Sequence, residues 1–208
     1  MADKGGCVIL LNGFPGVGKF TIAKALQKAL PSGISHRLID NHLLIDPVEA
    51  IEPGRNDAHY RLRKDVRRIA FRGVECIQEK NVVVIMTTCL AAIPTDVEAF
   101  HEHANIALTR RVPLITVNIS CDESANIARL CGDERKKGAV TGKTKLTDAK
   151  VLSQLRQDFT LLDPDLLHGE MDKKGLEMHH FALETTGLTV EDATERVLNF
   201  MMGRILSL

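Results

Sequence analysis

The stretch "GFPGVGKFTIAKAL" (residues 13–26) decides the fold. Its first half places glycines at 13, 16 and 18 ahead of Lys19, and its second half has the apolar spacing of an amphipathic helix. Just before it, "CVILLN" (7–12) is an unbroken apolar run, as expected of a strand buried on both faces. A strand, a glycine turn and a helix in succession give the turn a physical task. Glycines let consecutive amide N–H groups line an anion site, and the helix N-terminus adds unpaired donors and a favourable dipole. Lys19 supplies a mobile cation for the β and γ phosphates of a nucleoside triphosphate. The competing reading is a tight turn with no ligand.

Phe20 stands where many phosphate loops place a hydroxyl for magnesium, and Thr21 comes one place later. One residue on a helix is about 100° of rotation, which disfavours direct coordination by Thr21 but leaves a phosphate contact open. The expected loop contacts are Gly13, Pro15, Gly16, Val17, Gly18, Lys19, Phe20 and Thr21. ATP is the expected ligand. Mg2+ is expected on phosphate and water, with no direct protein ligand.

Outward from the loop, strands alternate with helices. The first helix carries Ile22, Leu26 and Leu30 and stops at Pro31 and Gly33. "HRLID" (36–40) reads as a short strand, and "DPVEAIEPG" as a separating stretch. A long helix near 56–80 places Leu62, Val66, Ile69, Val74 and Ile77 on one stripe. "NVVVIMTT" (81–88) is a valine-rich strand. Pro94 suits the first turn of a helix reaching about 109. "VPLITVNIS" (112–120) repeats the strand signal, with Ser120 and Glu123 spaced as a capping box. Thr147 is read as the cap of the next helix, "HHFALET" (179–185) as the last strand, and the last helix starts near Thr189. The alternation predicts a mostly parallel sheet covered on both faces.

Composition narrows the function. Lys+Arg and Asp+Glu both number 27, giving a formal net charge of zero, and with aromatic content of 4% no nucleic-acid partner is expected. The five cysteines, Cys7, Cys76, Cys89, Cys121 and Cys131, form no metal-ligand spacing and read as reduced thiols. No apolar stretch reaches the roughly 20 residues needed to span a bilayer. The expectation is a cytoplasmic protein of one domain over 1–208, with no membrane partner and no indicated homo-oligomer.

"GFPGVGKFT" resembles the phosphate loop of adenylate kinases, which also place a non-hydroxyl residue after the lysine and a threonine next. The element order from 7 to 208 resembles the P-loop kinases of nucleotides and small molecules. That resemblance implies a three-layer α/β/α fold on a five-stranded parallel sheet, with a small mobile lid. It also implies transfer of the γ-phosphoryl of ATP to a small acceptor.

"RLCGDERKKGAVTGKTKLTD" (129–148) is the candidate lid. A cationic flap closing over polyphosphate offsets charge and sheds water; an ordinary surface loop is the alternative. Adenylate kinase lids open with a similar arginine, apolar residue, x, Gly, then arginines. By that resemblance Arg129 lies against the adenine ring and Arg135 contacts phosphate, although Asp133 and Glu134 widen the spacing here. Lys136 and Lys137 are weaker candidates. Thr185, Thr186 and Gly187, in "ETTGLTVEDA", occupy the turn that holds the adenine edge in family members; a plain β–α connection reads as well.

On the acceptor side, "LIDNH" brings Asp40, Asn41 and His42 to the rim of the second strand, and "MTTCLAAIP" brings Thr87, Thr88 and Cys89 to the third. Asp40 either accepts a proton from an acceptor hydroxyl or holds a water of magnesium. Gluconate-, shikimate- and chloramphenicol-phosphorylating members carry an aspartate in this place. The Gly-x-Pro-Arg turn of nucleoside monophosphate kinases is missing after the third strand, as is the acid many P-loop proteins carry there. The catalytic expectation is therefore Lys19, Asp40 and Arg135, with Asp40, Asn41, His42 and Thr88 around a small-molecule hydroxyl. A nucleoside or nucleoside monophosphate kinase is the second reading, and a slow ATP-hydrolysing switch the third. Arg55, Arg61, Arg63, Arg67 and Arg68 discriminate: two or three turned inward favour an anionic acceptor, a solvated helical face a neutral one.

Overall fold

The structure is a computed structural model that describes residues 5–133, 135 and 145–205. Five parallel strands form one sheet in the order β2-β3-β1-β4-β5: β1 (Cys7–Asn12), β2 (His36–Ile39), β3 (Val83–Thr88), β4 (Leu114–Ser120) and β5 (Met178–Glu184). Among the described residues eight α-helices cover it: α1 (Lys19–Ala29), α2 (His42–Ile51), α3 (Asp57–Glu75), α4 (Pro94–Arg110), α5 (Glu123–Leu130), α6 (Ala149–Asp158), α7 (His168–Lys173) and α8 (Val190–Ile205). The three-layer α/β fold matches the expectation.

The central strand shows why an apolar run precedes the loop. All of β1 is buried, and its side chains alternate between two cores. Val8 and Leu10 join Phe71 and Val74 of α3 and Phe100 and Ala104 of α4. Cys7, Ile9 and Leu11 join Ile22 and Leu26 of α1 and Val197 and Met201 of α8. Each such side chain contributes about 1.5–3 kcal/mol by burial, so the strand that ends in the loop is also among the most firmly held.

Several local expectations are corrected. "DPVEAIEPG" lies largely within α2, which tolerates Pro47 because Leu44 and Val48 of the same helix are buried. The long helix ends at Glu75, leaving Ile77 outside it, and Ile69 is 70% exposed. Past its end, Arg110 of α4 donates to the carbonyls of Ile77 and Glu79, both at 2.9 Å, supplying partners where the helix stops. Ser120 does not cap α5; the carboxylate of Asp122 does, accepting from Ala125 N–H at 2.6 Å. Asp148, rather than Thr147, caps α6. Pro164–Leu167 forms a short 3-10 helix that, with α7, the periodicity did not reveal. All five cysteines are free; Cys7 and Cys121 are buried and Cys76 is exposed.

Candidate active site

Each parallel strand delivers its C-terminal residue to the same rim, and strand order turns at β1, the place where open α/β folds bind ligands. Asn12 ties that rim together. Its amide donates to the Leu90 carbonyl at 3.1 Å and to Asn118 Oδ1 at 3.0 Å, and its Oδ1 accepts from Leu90 N–H at 2.7 Å.

The loop after β1 is shaped from outside as much as by its own glycines. Gly18 sits at φ 100° as the residue before α1, and no side chain caps the helix there. The first amides of α1 are thus left for an anion. Gly16, at φ 92°, packs so closely that an added Cβ would lie 2.6 Å from Asn126 Nδ2. Asn126 is fully buried; it donates to the Pro15 carbonyl at 2.9 Å and accepts from Arg156 at 3.0 Å. Arg156 also donates to the Cys121 carbonyl at 3.2 Å and lies 5.9 Å from the Phe14 ring centroid. Val17 is buried against α1 and β4. Helices α5 and α6 therefore hold the loop through Asn126 and Arg156.

Lys19 bends back over the loop, donating to the carbonyls of Gly13 at 2.6 Å and Phe14 at 2.9 Å. Burial lowers its pKa to about 8; Cys89 and Asp40 push it upward and Arg135 downward. Phe20 offers no oxygen. Its ring instead faces the ammonium groups of Lys24 at 5.5 Å and Lys145 at 5.1 Å, linking α1 to the end of segment 129–148. Thr21 is exposed.

Asp40 is buried at the end of β2, where Thr87 donates its hydroxyl to Asp40 Oδ1 at 2.6 Å and accepts from Asn41 N–H at 3.0 Å. Asp40 acts electrostatically on both Lys19 and Arg135, so the three expected catalytic residues lie within electrostatic reach of one another. Arg135 donates from Nε to the Leu146 carbonyl at 2.8 Å, and burial lowers its pKa while Asp40 opposes that. Thr88 is buried beside this rim. His42 begins α2 and turns to Asp46, 3.2 Å from its Oδ1. Glu134, Lys136, Lys137 and Lys143 lie outside the described residues.

Across β4, Arg129 hydrogen-bonds to the Thr185 hydroxyl at 2.9 Å and its carbonyl at 2.8 Å. Thr185 is itself buried and donates to the Ser120 carbonyl at 2.8 Å. Thr186 spends its hydroxyl inside the turn, donating to Glu184 at 2.6 Å and accepting from Asp122 N–H at 2.8 Å. Gly187 takes φ 71°, which closes the turn ahead of α8.

Sequence reasoning missed Asn12, Asn126 and Arg156, because an asparagine on a strand or helix carries no pattern until its partner is known. The fold brings the ligand atoms of Asp163, Asp165 and His180 within 4.8 Å of one another, with both aspartates exposed.

Comparison with curated proteins gives no match. Among solved structures, the protein APE1195 is 17% identical over 97% of this chain and 98% of its own, with a TM-score of 0.62. Shikimate kinase from Acinetobacter baumannii, in complex with shikimate, is 16% identical over 97% and 96%, with a TM-score of 0.55. Kti12 from Chaetomium thermophilum, in complex with ADP-AlF3, is 16% identical over 95% and 98%, with a TM-score of 0.53. At such identities the likeness is one of fold, the P-loop kinase fold. The AAA domain family model matches residues 9–150, and with its phosphate loop inside that span the chain belongs to this family.

Proposed function

We propose that the protein is an ATP-dependent phosphotransferase that moves the γ-phosphoryl group to a hydroxyl of a small molecule. The observation that carries this reading is a glycine loop whose helix is uncapped and whose carbonyls hold Lys19, with Asp40 and Arg135 within electrostatic reach of that lysine. The kinase fold and the AAA domain family support it.

In this reading the amides of residues 16–19 and the Lys19 ammonium hold the β and γ phosphates, and Arg135 offsets charge on the group in flight. Asp40 orients the acceptor hydroxyl and takes its proton. The acceptor oxygen forms a bond to Pγ as the bond from Pγ to the bridging oxygen breaks, and ADP departs with that electron pair. Arg129 and Thr185 form the wall against the base, and Thr186 and Gly187 shape that wall. Asn41, His42 and Thr88 line the acceptor side. The whole chain, 1–208, acts as one unit, with 129–148 as its lid.

Magnesium is implied by this chemistry. The residues present fit an ion held mainly by nucleotide phosphates, because Phe20 offers no ligand while Asp40 keeps Oδ2 outside its bond to Thr87. The ion supplies charge neutralisation on the phosphates when bound.

A second reading, a nucleotide-driven switch, draws on the Kti12 likeness, since that structure holds ADP-AlF3. Incubation with ATP, magnesium and a metabolite library separates the two. Transfer produces a compound heavier by one phosphoryl group, lost in Lys19→Ala. A switch releases inorganic phosphate whatever compound is present.

A further inference from the structure

Three metal-ligating side chains from two separate segments meet beside the edge strand β5. Side chains alternate along β5, so His180 shares a face with Met178, which is buried in the core that also holds Leu162 and Met171. Leu162 belongs to the turn after α6, and the residues that follow it include Asp163 and Asp165. One ligand atom from each of Asp163, Asp165 and His180 lies within 4.8 Å of the other two.

Each part of the set is held from outside. Thr116 is the register partner of His180; its hydroxyl lies 2.9 Å from His180 Nδ1 and donates to the His179 carbonyl at 3.2 Å. A hydroxyl has one proton, so both contacts are met when Nδ1–H donates to Thr116, and Nε2 then keeps its lone pair. Metal-bound histidines are oriented in this way, by a hydrogen bond on the other ring nitrogen. In the turn, Leu162 donates its N–H to the Leu90 carbonyl at 3.0 Å, and its own carbonyl accepts from Asn118 at 2.8 Å. Asp163 spends Oδ1 on Asp165 N–H at 3.0 Å and keeps Oδ2. The Asp165 carboxylate has no hydrogen bond among the described residues, and no lysine or arginine there pairs with either acid. Two negative charges and an imidazole lone pair thus converge with no cation to offset them.

We propose that Asp163, Asp165 and His180 bind one transition-metal dication, Zn2+ by their chemistry, which fastens the turn after α6 to β5. A dication brings two carboxylates and a neutral imidazole to zero net charge. The imidazole selects zinc over magnesium and calcium, which take oxygen ligands. Zinc bonds of about 2.0–2.2 Å put tetrahedral ligand atoms about 3.3–3.5 Å apart, so the exposed aspartates swing inward by about 1.5 Å and water takes the fourth position. The site is independent of the phosphotransferase reading and distinct from the magnesium which that reading implies. Its mechanical reach is longer than its size, because α6 ends just before this turn and carries Arg156, which holds Asn126 at the phosphate loop.

Equilibrium dialysis of the full chain against ZnCl2, without nucleotide or chelator, tests the site. The wild type is expected to hold one equivalent of Zn2+ that Asp165→Asn and His180→Gln each weaken about tenfold or more. Asp165 is exposed and its side chain bonds to nothing described, so Asp165→Asn leaves the fold intact. His179→Gln, which removes the neighbouring imidazole, is expected to leave the equivalent in place. Zinc at about a hundredfold excess over its Kd should raise the wild-type melting temperature by about 5 °C or more, and that of Asp165→Asn by much less. Co2+ substituted for Zn2+ should show visible bands without the near-ultraviolet charge transfer of thiolate ligands. No zinc bound by the wild type, equal binding by Asp165→Asn and His180→Gln, or thiolate bands as the sole cobalt signal overturns the site.

Discussion

Asn126 holds Pro15 by a single hydrogen bond, Nδ2 to carbonyl at 2.9 Å, across 111 residues of chain. With Arg156 fixing the other end of the amide, that bond sets the height of the loop at Gly16. Replacing Asn126 by Leu leaves the Pro15 carbonyl and the Arg156 guanidinium without this partner, at a cost of about 1–3 kcal/mol in stability. Nucleotide affinity is expected to fall on the order of tenfold. Thermal melting and calorimetric ATP titration check both; an unchanged affinity would show that the glycines alone shape the loop.

Lys19 ties nucleotide binding to pH. Burial brings its pKa down to about 8, so the free protein loses this positive charge as pH rises through 8. A bound polyphosphate favours the charged form and raises that pKa. Affinity for ATP is therefore expected to be highest below pH 8 and to fall above it, with proton uptake on binding near pH 8.5. Calorimetry in buffers of different ionisation enthalpy measures the uptake. Lys19→Ala should abolish it, together with most turnover, while leaving the melting temperature near that of the wild type.

Asp40→Asn keeps an oxygen for Thr87 but removes the negative charge facing Lys19 and Arg135. Acceptor phosphorylation should drop by roughly 10²–10⁴, the usual worth of a general base, with nucleotide affinity changed only a few-fold. Equal losses in both would assign Asp40 to magnesium support instead.

His103 gives the fold an acid limit. It is buried on α4, its Nδ1 lies 2.6 Å from the Ala99 carbonyl, and its ring packs 4.7 Å from Phe71. Burial lowers its pKa from 6.5 to about 4. Between those values the unfolded chain binds the proton and the folded chain does not. Stability is therefore full above pH 6.5 and falls as pH drops toward 4, by about 3 kcal/mol at most. Denaturant melts across that range measure the slope, and His103→Gln should flatten it.

The alternation of strand and helix was legible because β1, β3 and β4 are short apolar runs and the longer helices α1, α3 and α8 are periodic, whereas α2 and α7 carried no such pattern. The expectation for Lys19, Asp40 and Arg135 rests on their positions after a glycine loop, a strand and a candidate lid. The capping residues were not, since Ser120 and Asp122 offer equally good oxygens and only the turn after β4 decides between them. The basic row on α3 reads as uniform surface charge until Glu98 pairs with Lys64 and Glu102 with Arg67 and Arg68.

Strand order has one more consequence. In the proposed reading, because β1 stands between β3 and β4, the residues assigned to the acceptor all fall within 40–96 and those assigned to the base within 120–187. On that reading the two specificities are separable modules sharing a common hinge of phosphate chemistry. A chimera that imports the 40–96 stretch of a relative should inherit that relative's choice of what is phosphorylated and keep its own preference for the donor.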